Sequence, residues 1–238
     1  MKKIWRLMLL LNGGVLVILV LIIGAMRFTL YRVNDKAETL DYEGNQYYAT
    51  AYISPNLSLS NGKKETTIFG GATYVGSYKG AELSVNGVNK LWTIKGIPKE
   101  RLLIEMTPNG EGANTRTWVN KKLKNVKQAF EFLNPTYLSY FDDKESVLKY
   151  LESNEQKVVI QTVKETITKK PKFTRTYTIK GEAIYEIYFN NDAHQSLVLQ
   201  ASLLKVDSGK IYMTFSGGIG RIGYWEVDKK LLELLEGK

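Results

Sequence analysis

Apolar and polar positions change rhythm three times along the chain. Residues 7–26 carry no charge, and twenty residues at helical rise span the hydrocarbon core of a bilayer. From 47 the alternation becomes strand-like: 47–53, 65–70, 72–78, 91–96 and 101–106 are short runs rich in β-branched and aromatic residues. Turn pairs separate them, among them Asn61-Gly62, Asn86-Gly87 and Asn109-Gly110. In the middle, Val126, Ala129, Phe130 and Leu133 recur at i, i+3, i+4 and i+7, which predicts a helix over 125–133 ended by Asn134-Pro135. Val147, Leu148 and Leu151 predict a second helix over 143–154, capped by Asp143.

From Lys157 onward the text reads as an antiparallel meander of about five strands over 158–168, 173–180, 183–189, 196–206 and 211–216, because connections this short join neighbours. Residues 228–237 predict a short closing helix capped by Asp228 and ended by Gly237. The expected fold class is α+β: one N-terminal transmembrane helix, then a mostly antiparallel β domain with two or three short helices. The expected segments are 1–32 (cytoplasmic tip and anchor), 33–46 (polar tether), 47–112 (small β-rich subdomain), 113–156 (helical segment) and 157–238 (meander with C-terminal helix).

Lys2, Lys3 and Arg6 precede the apolar run, while Arg27 and Arg32 follow it. That bias predicts a single-pass protein of the cell membrane with its N-terminus inside and the remaining mass outside the cytoplasm. The run is longer than a signal-peptide core and lacks an A-x-A site, which favours an uncleaved anchor.

Charge changes less than it promises. The net +9 includes five basic residues and no acid in residues 1–32, leaving 28 Lys/Arg against 24 Asp/Glu beyond them. A remainder of +4 is no global footprint for nucleic acid, and none is expected as a partner. The absence of cysteine excludes thiolate catalysis, disulfides and sulfur-ligated metals.

One stretch spells a known site: Gly218, Gly220 and Gly223 stand at G-x-G-x-x-G spacing. A dinucleotide turn needs a helix and a second parallel strand after it, and only fifteen residues follow Gly223. A hairpin between 211–216 and 221–227 is the expected structure, and no cofactor is expected. His194 is the only histidine and falls in the turn 190–195, so neither a triad nor an H-E-x-x-H site is built on it. Asn190, Asn191 and Asp192 read as turn residues rather than cation ligands. Asp142, Asp143 and Glu145 crowd a predicted helix start, where the macrodipole explains them without catalysis.

Two basic stretches remain. Residues 116–127 carry Arg116, Lys121, Lys122, Lys124 and Lys127 around Trp118 with no acid, and residues 157–180 carry seven Lys/Arg against Glu165 alone. Facing one way, Arg116, Trp118, Lys121, Lys122, Lys124, Lys169, Lys170, Lys172 and Arg175 would form a patch for anionic lipid or anionic cell-wall polymer, with Trp118 at a membrane interface or on a sugar. Lysines on exposed strands also discourage edge-to-edge association. No catalytic or metal-ligating residue is assigned.

The function expected from the sequence is a membrane-anchored extracytoplasmic binding or scaffold protein of the bacterial cell envelope. An anchor followed by helices and a curved meander also resembles, in outline, the assembly subunits of conjugation or secretion machines, with other membrane proteins as partners. A hydrolase of envelope polymers is the third reading.

Overall fold

The computed structural model describes residues 32–34, 38–55, 72–78, 89–94, 96–106, 116–142, 147–176, 178–194, 197–216 and 222–236. They form a mostly antiparallel β structure with three α-helices. The first half contributes β1 (Arg32–Asn34), β2 (Thr39–Tyr42), β3 (Asn45–Thr50), β4 (Ser54–Pro55), β5 (Ala72–Tyr78), β6 (Asn89–Ile94), β7 (Leu102–Met106) and β8 (Arg116–Val119). All but β4 make one sheet in the order β1-β2-β3-β8-β7-β6-β5.

The second half supplies α1 (Val126–Leu133), β9 (Tyr137–Asp142), β10 (Val147–Tyr150), α2 (Ser153–Thr168), β11 (Phe173–Arg175), β12 (Glu182–Asn190), β13 (Leu197–Lys205), β14 (Ile211–Phe215), β15 (Ile222–Glu226) and α3 (Lys229–Leu235). Its sheet runs β10-β9-β12-β13-β14-β15-β11, and β4 joins it by pairing Pro55 and Ser54 with Leu197 and Val198 of β13. One hydrophobic cluster takes side chains from both sheets and all three helices, including Ile104, Val119, Phe130, Val163, Phe189, Leu203 and Leu231. The two β regions therefore share a core.

Several elements differ from the expectation. Residues 38–46 are not a tether: Leu40 and Tyr42 of β2 are buried, and Glu43 (φ 48°) and Gly44 (φ 76°) make the tight turn into β3. The segment 113–156 holds three strands besides α1. Residues 147–150 pair antiparallel with β9 rather than forming a helix, placing Lys149 opposite Tyr140 and Val147 opposite Asp142.

Residues 158–168 belong to α2, not to a strand. Val159, Val163 and Ile167 recur every four residues and are buried on one face. At its start Glu155 reaches back to accept the Glu152 N–H at 3.2 Å. Burial of that stripe overrides the strand preference of its β-branched residues. The expected strand 173–180 shortens to β11, which pairs with β15 instead of β12.

Helix α1 is as read, with the Asn125 side chain accepting the Gln128 N–H at 3.0 Å. Residues 1–31, including the expected anchor, lie outside the described residues, as do 65–70, the three Asn-Gly turns and Gly237. Among the described residues no helix is long and apolar enough to cross a membrane.

Candidate functional site: a lysine-lined cleft beneath Trp225

Strand β15 carries Gly223 and Trp225 on one face, since alternate residues of a strand point the same way. The indole lies across the glycine, where a Cβ would sit 2.7 Å from the ring. Its Nε1–H donates to the Lys169 carbonyl at 3.0 Å, and its edge meets Phe215 with centroids 5.8 Å apart. The ring is partly exposed.

The 169–172 turn is held against β15 on both sides. Besides the Trp225 bond to Lys169, the Lys172 N–H donates to the Tyr224 carbonyl at 2.8 Å, leading directly into β11. Pro171 cannot donate a backbone hydrogen bond and interrupts the helix. Lys169 and Lys170 are thereby fixed at the C-terminal end of α2, where exposed carbonyls favour cations.

Opposite them, the loop before α1 is tied by two reciprocal bonds: Gln128 Oε1 accepts the Lys124 N–H at 2.8 Å while Asn125 Oδ1 accepts the Gln128 N–H. Lys124 and Lys127 stand at this helix start. Between the two lysine pairs lies an open cleft of about 390 Å³, floored by Val126, Ile167 and Phe215 and flanked by Tyr52 and Trp225. Among the described residues no acid lines it. Lys127 reaches Glu131 at 3.8 Å in an exposed i,i+4 pair, whereas Lys124, Lys169 and Lys170 have no side-chain ion-pair partner among the described residues. Burial raises the Tyr52 phenol, which keeps it a neutral wall.

The two basic stretches thus meet in part. Lys124, Lys169 and Lys170 come together, joined by Lys127. Lys172 lines a neighbouring cleft on Trp225's other side. Arg175 is exposed and stacks on Phe173 at 5.3 Å, and Lys121 and Lys122 are exposed on the loop after β8 without lining either cleft.

Arg116 and Trp118 belong elsewhere. Trp118 is fully buried in a separate cluster with Leu40, Tyr47, Leu91 and Leu103, and its Nε1–H donates to the buried Glu105 carboxylate at 2.9 Å. A ring so enclosed cannot stack on a ligand or sit at a membrane interface. Arg116 packs over that ring at 5.2 Å. The aromatic of the cleft is Trp225, whose signal in the sequence was the Gly-x-Trp spacing within a strand.

The other candidates resolve into structural roles. Asp142 is buried and meets Lys149 at 3.2 Å rather than a second carboxylate; Asp143 and Glu145 lie outside the described residues. Asn191 donates to the Leu133 and Asn134 carbonyls at 3.2 and 2.6 Å, closing the end of α1, and Asn190 donates to Leu197. Asp192 exchanges hydrogen bonds with Thr136. His194 closes the 3₁₀ turn Asp192–His194. Gly223 lies within β15, paired with Thr174 of β11, and β14 and β15 pair antiparallel through Tyr212 with Glu226 and Met213 with Trp225, a frame unlike a dinucleotide turn. Among the described residues no group of three or more His, Asp or Glu could hold a metal ion.

Comparison with protein families, curated proteins and solved structures finds no match to this chain.

Proposed function

We propose that the protein is a membrane-anchored extracytoplasmic binding protein of the bacterial cell envelope, and that the cleft beneath Trp225 is where it takes an anionic partner. One observation carries this reading: four lysines from two distant segments converge on a concave surface with no acid in its lining among the described residues. Concentrated positive charge beside low-dielectric walls attracts anions more strongly than the same lysines scattered over a surface. The volume and apolar floor are those of a ligand cleft. The uncharged run at 7–26 and the basic residues before it support the anchored, outward-facing placement.

The test is retention of the full chain, in neutral detergent, on purified cell wall and on anionic vesicles. Lys124→Glu/Lys169→Glu/Lys170→Glu should abolish retention, and rising salt should weaken the original protein progressively. Equal retention of the charge-reversed variant would sink the reading.

A second reading, as an assembly subunit of a conjugation or secretion machine, is favoured by β10. Among the described residues this strand is the edge of its sheet, with Val147 51% and Tyr150 42% exposed, and an apolar edge is a template for a partner strand. A photo-crosslinker at Tyr150 in native membranes should then capture another membrane protein, and recovery of only the uncrosslinked chain would count against it.

A further inference from the structure

We infer that the cleft takes a chain of negatively charged sugars, lying across Trp225 with units on both sides of the ring. The inference rests on the reading of the cleft as an anion site and names its ligand class.

The second cleft, of about 280 Å³, shares Lys169, Lys170 and Trp225 with the first. The two clefts therefore adjoin at the indole and the two lysines. Their linings differ chemically. The charged side chains of the first are all lysines, beside Asn125, Thr168 and Thr174, whereas among the described residues the second mixes Lys172 with Thr162, Thr166, Glu165, Glu226 and Asp228. Its acids already have work: Glu226 pairs with Lys210 at 3.0 Å, Asp228 caps α3, and Glu165 accepts from Gln161 at 2.7 Å. Carboxylate oxygens retain acceptor capacity beyond one bond, and threonine hydroxyls both donate and accept. Such a surface suits hydroxyl groups beside an anion held by Lys172. An apolar ring face joins a charged subsite to a hydroxyl-matching one, and a saccharide bearing carboxylates or phosphates offers hydroxyls, anions and apolar ring faces in one repeating unit.

Rival anions fit less well. A bilayer surface cannot follow a concave cleft, and the exposed large apolar residues among those described, Val147, Tyr150 and Val158, lie outside both clefts. A peptide strand meets β15 already engaged, by β11 at Ile222–Tyr224 and by β14 at Trp225 and Glu226. Linear polyphosphate has neither hydroxyls for the threonines nor an apolar ring face for the indole.

The test titrates the full chain in neutral detergent with oligogalacturonates of one to six units, sodium tripolyphosphate, an oligothymidylate and phosphatidylglycerol vesicles. Affinity for the sugar acid should rise with length over the first few units. Trp225→Ala should weaken the longer oligomers about fivefold, the scale of one aromatic contact, and leave tripolyphosphate unchanged. Lys172→Glu should weaken only oligomers long enough to pass the ring. If Trp225→Ala disturbs folding, Trp225→Phe supplies the reading, since it keeps a smaller platform.

Tripolyphosphate binding as tightly as the oligomer at equal charge, with no effect of either Trp225 variant, would overturn the sugar assignment and leave the anion site standing. Stronger binding of oligothymidylate or vesicles would overturn it likewise. If no probe responds to Lys124→Glu/Lys169→Glu, the anion site falls with it.

Discussion

Trp225 sets the far end of its indole over Gly223, two residues back on the same strand face, and leaves no room for a methyl group there: an added Cβ would meet Cη2 at 2.7 Å and Cζ3 at 2.9 Å. Gly223→Ala should therefore lift the ring, strain its bond to the Lys169 carbonyl and cost about 1–3 kcal/mol of stability. Urea unfolding checks the stability, and cell-wall retention checks the cleft, which should weaken as well. An alanine variant as stable and as retentive as the original would show that the ring is not seated there.

Trp118 offers the contrasting case. Trp118→Phe should leave the buried Glu105 carboxylate with one donor fewer and destabilise the protein by about 1–3 kcal/mol. Binding of anions should not change, because the residue lies in a different cluster from the cleft. A loss of anion affinity at unchanged stability would return Trp118 to the candidate site.

Asn191 should not tolerate the smallest change of its side-chain chemistry. Asn191→Asp replaces a donor shared by two carbonyl oxygens with a carboxylate facing them, and should cost about 2 kcal/mol or more. The urea midpoint of the variant reports this. Because the bond closes α1, whose start carries Lys124 and Lys127, the cleft should loosen with it.

Two tyrosines set an alkaline limit. Burial, with Glu100 and Glu43 nearby, pushes the Tyr47 phenol up to about 12, and burial with Asp192 and Tyr150 nearby does the same for Tyr137. An unfolded tyrosine ionises near 10, so above that pH the unfolded chain binds fewer protons than the folded one. The stability these phenols contribute is fully present below pH 10 and is lost as pH rises from 10 to 12. Urea midpoints across this range should fall, and Tyr47→Phe should flatten the fall even though it forfeits the bond to the Lys99 carbonyl at 2.9 Å. A midpoint independent of pH up to 12 would refute the assignment.

Legibility in the sequence followed the range of the interactions involved. Helix α1 was readable because its apolar stripe and the Asn134-Pro135 stop lie within the ten residues 126–135. Strands β5, β7 and β12 to β15 announced themselves through β-branched runs and short turns. Strand β2 hid behind an Asp, a Glu and a Gly, because its Glu43-Gly44 turn is not among the strongest hairpin pairs. The segment 158–168 carried two periods at once, a β-branched composition and a four-residue stripe, and composition pointed the wrong way.

The sequence alone determined the local vocabulary: where apolar runs alternate, that Asn134-Pro135 ends α1 and Asp228 caps α3, and that lysines concentrate in two segments. Those features depend on neighbours along the chain, so they survive without knowledge of the fold. Only the tertiary structure decided that Lys124 and Lys127 face Lys169 and Lys170, that Trp118 is enclosed while Trp225 is presented, and that 158–168 winds into a helix. Each of these depends on which face of an element another element covers, and that choice is made by contacts between residues far apart in the chain.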